Sequence, residues 1–291
     1  MFAEEWPLMM FTLLSQLAVG TYIILVLVRT ILSGKNSQVA YQITKSGVAV
    51  VGPLMALALI FSLFHLGTPM GAYRSISNLG SSWLSREIVT AGGFFVLWAI
   101  GYYLEKKEKG GSTLSWITVL FGLAAIFSMA SIYATSVRPA WANINTYIVF
   151  FGTTLLFGAA GALAAIVHGM KGAKISAEVL NTLKKISFIA IAALAVQLAY
   201  LPFYISGLGS QGSAGMASAN LLTDSYAMTM VLRWIVSIAG GILLLNAVYK
   251  GGKGTIPANT VYLALAVVIV GEFIGRYVFY ASAVSIMVGL N

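Results

Sequence analysis

Glu272 and Arg276 stand four residues apart in the apolar run Gly271-Glu-Phe-Ile-Gly-Arg-Tyr-Val-Phe-Tyr280. At helical spacing they share one face about one turn apart, so they can pair with each other. A charge inside hydrocarbon costs a few kcal/mol unless it is paired or wetted. The two residues therefore either fix helix packing or belong to a ligand or proton site, and Arg233 is a further partner for them. His65 closes another apolar run just before Gly67 and Pro69, and Glu87 opens the next run two residues after Ser85. A carboxylate at a helix start and a cation at a helix end are both favoured by the helix dipole, which is a purely structural account of them. Two titratable groups flanking a glycine-rich segment are also what proton-coupled chemistry at a membrane surface requires, with an imidazole that exchanges protons near neutral pH.

Other chemistries are excluded. The sequence has no cysteine, which removes disulfides, zinc thiolates and iron–sulfur ligation. His168, the second of only two histidines, falls at the opposite end of its helix from the level of His65. Across a core roughly 30 Å thick the two cannot serve as both axial ligands of one haem. No phosphate-binding loop, metal-ligand cluster or nucleophile triad occurs, so no metal is expected in this protein.

The elements that must position these residues are membrane helices. Of 291 residues, 59% are hydrophobic and 9% charged, and the mean hydropathy is +0.91; the bilayer is the solvent. A spanning helix needs roughly 20 mostly apolar residues, and such runs predict eight transmembrane helices over 7–32, 46–66, 86–104, 114–134, 146–168, 185–205, 225–249 and 258–288. The alternation expected of barrel strands is missing. The fold class is thus an all-α integral membrane protein, a single transmembrane domain over 1–291. Met1 to Trp6 carry Glu4 and Glu5 and no basic residue, unlike a signal-peptide start, so the first helix is expected to stay in the mature protein. Segments 67–85 and 206–224 are long, rich in Gly and Ser, and expected to be irregular.

Basic residues set the orientation. Lys35, Lys45, Lys106, Lys107, Lys109, Lys171, Lys174, Lys184, Lys185, Lys250 and Lys253 fall in the odd-numbered loops, against Arg74, Arg86 and Arg138 in the even ones. The odd loops are expected on the cytoplasmic side, with both termini and both long segments outside. The net charge of +9 is explained by this topology, and no nucleic-acid partner is expected. A faint repeat also runs through the sequence. Arg86-Glu-Ile-Val-Thr-Ala-Gly-Gly and Arg233-Trp-Ile-Val-Ser-Ile-Ala-Gly-Gly, and likewise Tyr133-Ala-Thr-Ser-Val and Tyr280-Ala-Ser-Ala-Val, stand at the same offset of 147 residues. Either chance or two parallel four-helix halves, 1–140 and 141–291, accounts for it.

Glu5-Trp-Pro-Leu-Met9 with Phe11-Thr12, His65-Leu-Gly-Thr-Pro-Met70, Ser85-Arg-Glu-Ile88, Asp224-Ser-Tyr226 with Arg233, and Gly271-Glu-Phe-Ile-Gly-Arg276 with Val278-Phe-Tyr280 resemble the membrane-anchor subunits of anaerobic dimethyl sulfoxide reductases. The match runs end to end, in the family's order. The resemblance implies an eight-helix anchor in the cytoplasmic (inner) membrane that oxidises menaquinol. It implies as partners an iron–sulfur electron-transfer subunit and a molybdopterin catalytic subunit on the outer face. It assigns the positions of His65 and Glu87 to the quinol site as the groups doing the chemistry. Arg74, Arg86, Glu272, Arg276 and Tyr280 complete the candidate pocket. Gly71 and Arg74 stand where the family often has an arginine directly after Pro-Met, a departure in the loop contacts. Menaquinol is then a bound substrate, and neither haem nor metal is expected. Two other readings stand beside this one: a transporter, and a passive anchor that never touches quinone. Transporters usually break a helix near the midplane, whereas here Pro53 and Pro202 lie near span ends.

Overall fold

The computed structural model describes residues 2–64, 78–170, 176–251 and 255–286. Eight helices are long and apolar enough to cross a membrane, and no strand occurs among the described residues. The spans are α1 (Glu5–Gly34), α2 (Ser37–Phe64), α3 (Trp83–Lys106), α4 (Ser112–Ala134), α5 (Ile144–Met170), α6 (Ala177–Gly209), α8 (Ala227–Lys250) and α9 (Ala258–Ala281). A short helix, α7 (Gly212–Asn220), and a π-type turn, Leu221–Ser225, lie between α6 and α8.

Helical backbone runs without a break from Phe2 to Phe64, yet the polypeptide doubles back within it. Trp6 meets Phe61 edge to face at 5.6 Å, and Arg29 Nε donates to Thr44 Oγ1 at 2.7 Å; both contacts need α1 and α2 to be antiparallel. The start of α1, the end of α2, the start of α3 and the end of α9 therefore share one face of the bundle, called the terminal face below.

α1 is the central helix, 89% of its apolar window being buried inside the protein. Its closest neighbour is α5, and two glycines explain how close. A side chain at Gly20 would strike the Thr154 carbonyl, and one at Gly158 would come within 2.6 Å of the Gly20 carbonyl carbon. Lipid offers no hydrophobic drive between apolar helices, so close backbone approach through small residues does the packing. Gly158→Val is expected to push α1 from α5 and to cost about 2 kcal/mol or more. Gly34→Val, where a Cβ meets nothing within 4 Å, is expected to be neutral. Thermal unfolding of the two variants in detergent checks the contrast.

Two expectations need correction. Segment 206–224 is helical: α6 continues through Pro202 to Gly209, and Gly212, at φ +72°, makes the turn into α7. Within it Gly215 lies against the Leu208 carbonyl and Ser218 Oγ accepts from Val284 N at 3.2 Å. α6 also begins earlier than 185. Ser176 caps it by accepting from Val179 N, which places Lys184 and Lys185 inside the helix and the Lys184 ammonium over Tyr249.

Candidate functional site

Glu87 lies a full turn inside α3, not at its first residue. The cap is Ser82, whose hydroxyl accepts from Ser85 N at 3.3 Å. Helix-end electrostatics therefore give a weaker account of Glu87 than its sequence position suggests. The residue is only 5% exposed and lines a cavity of about 60 Å³ with Phe11 from α1, Leu59 and Ser62 from α2, and Leu84, Ile88 and Ala91 from α3. Ser62 spends its proton on the Leu59 carbonyl at 2.7 Å. The walls are otherwise apolar, so the carboxyl is the group in this cavity able to take up or release a proton. Phe64, the last described residue of α2, lies two residues beyond Ser62 of this wall. His65 comes next in the sequence; it and Arg74 lie outside the described residues.

A second buried polar group lies between α1, α5, α6, α8 and α9. Glu272, 2% exposed, accepts from Thr153 Oγ1 at 2.5 Å and from Ser237 Oγ at 3.1 Å. Its ion pair is with Arg233, Nη2 to Oε2 at 3.6 Å, so the i, i+4 pairing with Arg276 gives way to a pairing across helices. The reason is local. Gly271 and Gly275 face α8, and a Cβ at either would collide with Ser237 or with the Arg233 guanidinium; the glycine groove in α9 seats the α8 arginine. Arg276 turns toward α1 instead, donating from Nη2 to Gln16 Oε1 at 2.7 Å, with its guanidinium 3.9 Å over the Phe150 ring. Gln16 Nε2 in turn donates to the Phe150 carbonyl at 2.9 Å, and Arg233 Nη2 to Gln197 Oε1 at 2.9 Å.

Above this cluster, near the terminal face, the hydroxyls of Tyr133 and Tyr280 meet at 2.6 Å. Trp141 Nε1 donates to the Phe279 carbonyl at 2.8 Å. α4 and α9 thus end against one another through a knot of aromatic rings.

The sequence matches a known family. Residues 1–282 fit the DMSO reductase anchor subunit (DmsC) family. The protein belongs to that family. The C subunit of anaerobic dimethyl sulfoxide reductase from Escherichia coli is 29% identical over 283 residues, 95% of this sequence and 94% of that protein. The corresponding C subunit from Haemophilus influenzae is 28% identical over 280 residues, again 95% of this sequence and 94% of that one. The YnfH subunit of an anaerobic dimethyl sulfoxide reductase from E. coli is similar at 28% over 282 residues, with the same shares covered.

Within this anchor subunit the remaining candidates separate. Arg86, beside Glu87 in sequence, points the other way: its Nε donates to the Leu79 carbonyl at 2.8 Å, its Nη2 to the Gly80 carbonyl at 2.7 Å, and its guanidinium stacks 4.1 Å over Trp83. It pins the loop before α3 and does not line the Glu87 cavity. His168 sits in the last turn of α5, at the opposite face, with Nδ1 3.3 Å from the Tyr262 hydroxyl.

The anchor subunit also has polar residues that its sequence did not flag. Gln16, Thr153, Gln197 and Ser237 are uncharged and look like ordinary residues of an apolar run. Their only sequence signal is a polar side chain at the same helical depth as Glu272. Arg29 and Glu105 form a bidentate pair at 2.9 and 2.8 Å, 76 residues apart. They line a cavity of about 340 Å³ toward the lysine-bearing face, with Tyr22, Trp98 and Tyr102. Neither residue repeats at a spacing that announces the other. Among the described residues no group of three or more His, Asp or Glu gathers to hold a metal.

Proposed function

We propose that this anchor subunit oxidises menaquinol at the Glu87 cavity and passes the electrons to an iron–sulfur partner, which feeds a molybdopterin catalytic subunit. One observation carries it: a buried carboxyl, in apolar surroundings between α1, α2 and α3, beside the last described turn of α2, which His65 follows in the sequence. Quinol oxidation yields quinone, two electrons and two protons. The electrons leave through the partner subunit. The protons need bases at the ring hydroxyls, and the reading gives that task to Glu87 and His65, which deliver them to water at the terminal face. A cavity of about 60 Å³ admits the oxygen-bearing edge of the ring and leaves the rest against the lipid-facing ends of α2 and α3. Arg74, in the segment between α2 and α3, is assigned to the same site. Glu272, Arg276 and Tyr280 support the site from the neighbouring cluster.

The terminal face is read as the outer side of the cytoplasmic membrane, with both partners docked there. The lysines at the opposite face support this, since Lys106 ends α3 and Lys250 ends α8 and basic residues mark the cytoplasmic side. Alkaline phosphatase fused after Asn291 is expected to be active and a fluorescent protein there dark; the reverse pattern overturns the orientation. The protein is further read as two four-helix halves, 1–140 and 141–291. The direct bond between Tyr133 and Tyr280, residues at the repeat offset, supports that reading.

To test quinol oxidation itself, a menaquinol analogue is added to membranes holding the whole complex without terminal acceptor. The partner's iron–sulfur clusters, followed by electron paramagnetic resonance, are expected to become reduced. Clusters that stay oxidised point to a passive anchor.

A further inference from the structure

The buried cluster carries more cation than anion. Arg233 and Arg276 are 4% and 2% exposed, and the one carboxylate partner between them among the described residues is Glu272, which pairs with Arg233 and not with Arg276. An excess charge at this depth is costly. The Phe150 ring under Arg276 offsets part of it, since a ring face attracts a desolvated cation.

Beside Arg233 is a cavity of about 40 Å³ between α5, α6, α8 and α9. Asn145, Gln197, Tyr204, Arg233, Trp234 and Ser282 supply its polar lining, and no carboxylate lines it among the described residues. Arg233 Nε and Trp234 Nε1 have no hydrogen-bond partner among the described residues, although Trp234 is only 8% exposed. The two groups are adjacent, the guanidinium lying 4.2 Å over the indole. Arg233 Nε packs into the place a Cβ at Gly275 would take, and both residues belong to the same cavity wall. Buried donors left without acceptors are expensive; Arg276 Nε and Nη1 are two more in this cluster, but of the two arginines only Arg233 lines the chamber, together with Trp234.

We infer that this chamber binds a small monovalent anion of halide size, held by Arg233 Nε and the Trp234 indole N–H. Size and charge select it. A single water needs about 10–15 Å³ of such volume, so the chamber takes one hydrated halide or two to three waters, and no quinone ring. Water would satisfy the two donors but leave the excess positive charge of Arg233, Arg276 and Glu272 in place; an anion removes both costs. The bound ion would tie α8 to α6 and α9 and act on stability. This assignment does not rest on the quinol reading, because the chamber and the Glu87 cavity share no lining residue.

The test uses the purified complex with chloride replaced by gluconate at constant ionic strength. Adding chloride or bromide is expected to raise the thermal unfolding midpoint of the anchor subunit saturably. Trp234→Phe, which removes one donor, is expected to raise the halide concentration at half-effect about tenfold. Should that variant fail to assemble, crystals of the wild-type complex grown in bromide decide: an anomalous peak between Arg233 and Trp234 is expected. A midpoint indifferent to halide, an unchanged half-effect concentration in Trp234→Phe, or water without bromide in the chamber overturns the inference.

Discussion

Glu87→Gln and His65→Ala are each expected to cut quinol-driven turnover of the assembled complex at least tenfold, while dye-driven turnover of the catalytic partner stays at the wild-type level. Positioned general bases contribute about 10² to 10⁴ in rate, so tenfold is a low bound. Dye electrons enter beyond the membrane and do not need the anchor's chemistry. Gln keeps the size and hydrogen-bonding shape of Glu87 but cannot accept a proton, so it isolates the chemical role. The competing account is helix-end stabilisation. It predicts less complex in the membrane but normal quinol turnover per assembled complex. Glu87 lies a turn beyond the Ser82 cap, where the dipole effect has already faded, and that favours the chemical account. Measuring both activities and complex abundance on the same membranes separates the two.

Glu272→Leu is expected to be the most destabilising single substitution in the cluster, by about 3–5 kcal/mol. It leaves two buried guanidinium groups without the carboxylate that faces them and strands the hydroxyls of Thr153 and Ser237, which now donate to it. Removing Arg233 as well takes away one stranded charge, so Glu272→Leu/Arg233→Leu is expected to recover part of the loss. Arg276→Leu in the Glu272→Leu background should recover less. Arg276 also holds Gln16 and stacks on Phe150, and removing it sacrifices those contacts. Unfolding in detergent of the single and double variants gives the interaction energies through double-mutant cycles. Equal recovery by Arg233→Leu and Arg276→Leu would remove the special status of the 3.6 Å Arg233–Glu272 pair.

The contrast between these residues shows what a membrane sequence makes legible. Hydrocarbon demands unbroken apolar runs, so all eight spans could be read directly, with ends off by up to nine residues: α2 starts at Ser37 and not at 46, and Ser82 and Ser176 cap α3 and α6 earlier than the hydropathy changes. Charges inside those runs are conspicuous for the same reason, and Glu87, Arg233, Glu272 and Arg276 all proved to be buried. Their partners were another matter. Glu272 and Arg276 share a helix face, but pairing is decided by how α8 seats in the Gly271 and Gly275 groove of α9, a register that intrahelical spacing does not encode. Gln16 and Gln197 complete the cluster from α1 and α6, yet a neutral amide in an apolar run gives no signal of which distant arginine it meets. Arg86 was drawn to the pocket by its neighbour Glu87, whereas adjacent residues on a helix point about 100° apart, and the carbonyls of Leu79 and Gly80 hold it outward. Composition misled at 206–224, where Gly212 makes the turn between two helices and Gly215 packs against Leu208 within the second.

The location of the quinol site is tested most directly by photolabelling the intact complex in its membrane with an azido-menaquinone analogue, then mapping the modified peptides by mass spectrometry. Labels that added menaquinol competes away are expected on the cavity walls, around Leu59 to Ser62 in α2 and Leu84 to Ala91 in α3. Competed label confined to the larger chamber around Trp98 and Tyr102 at the opposite face, with none on those two segments, would contradict the account.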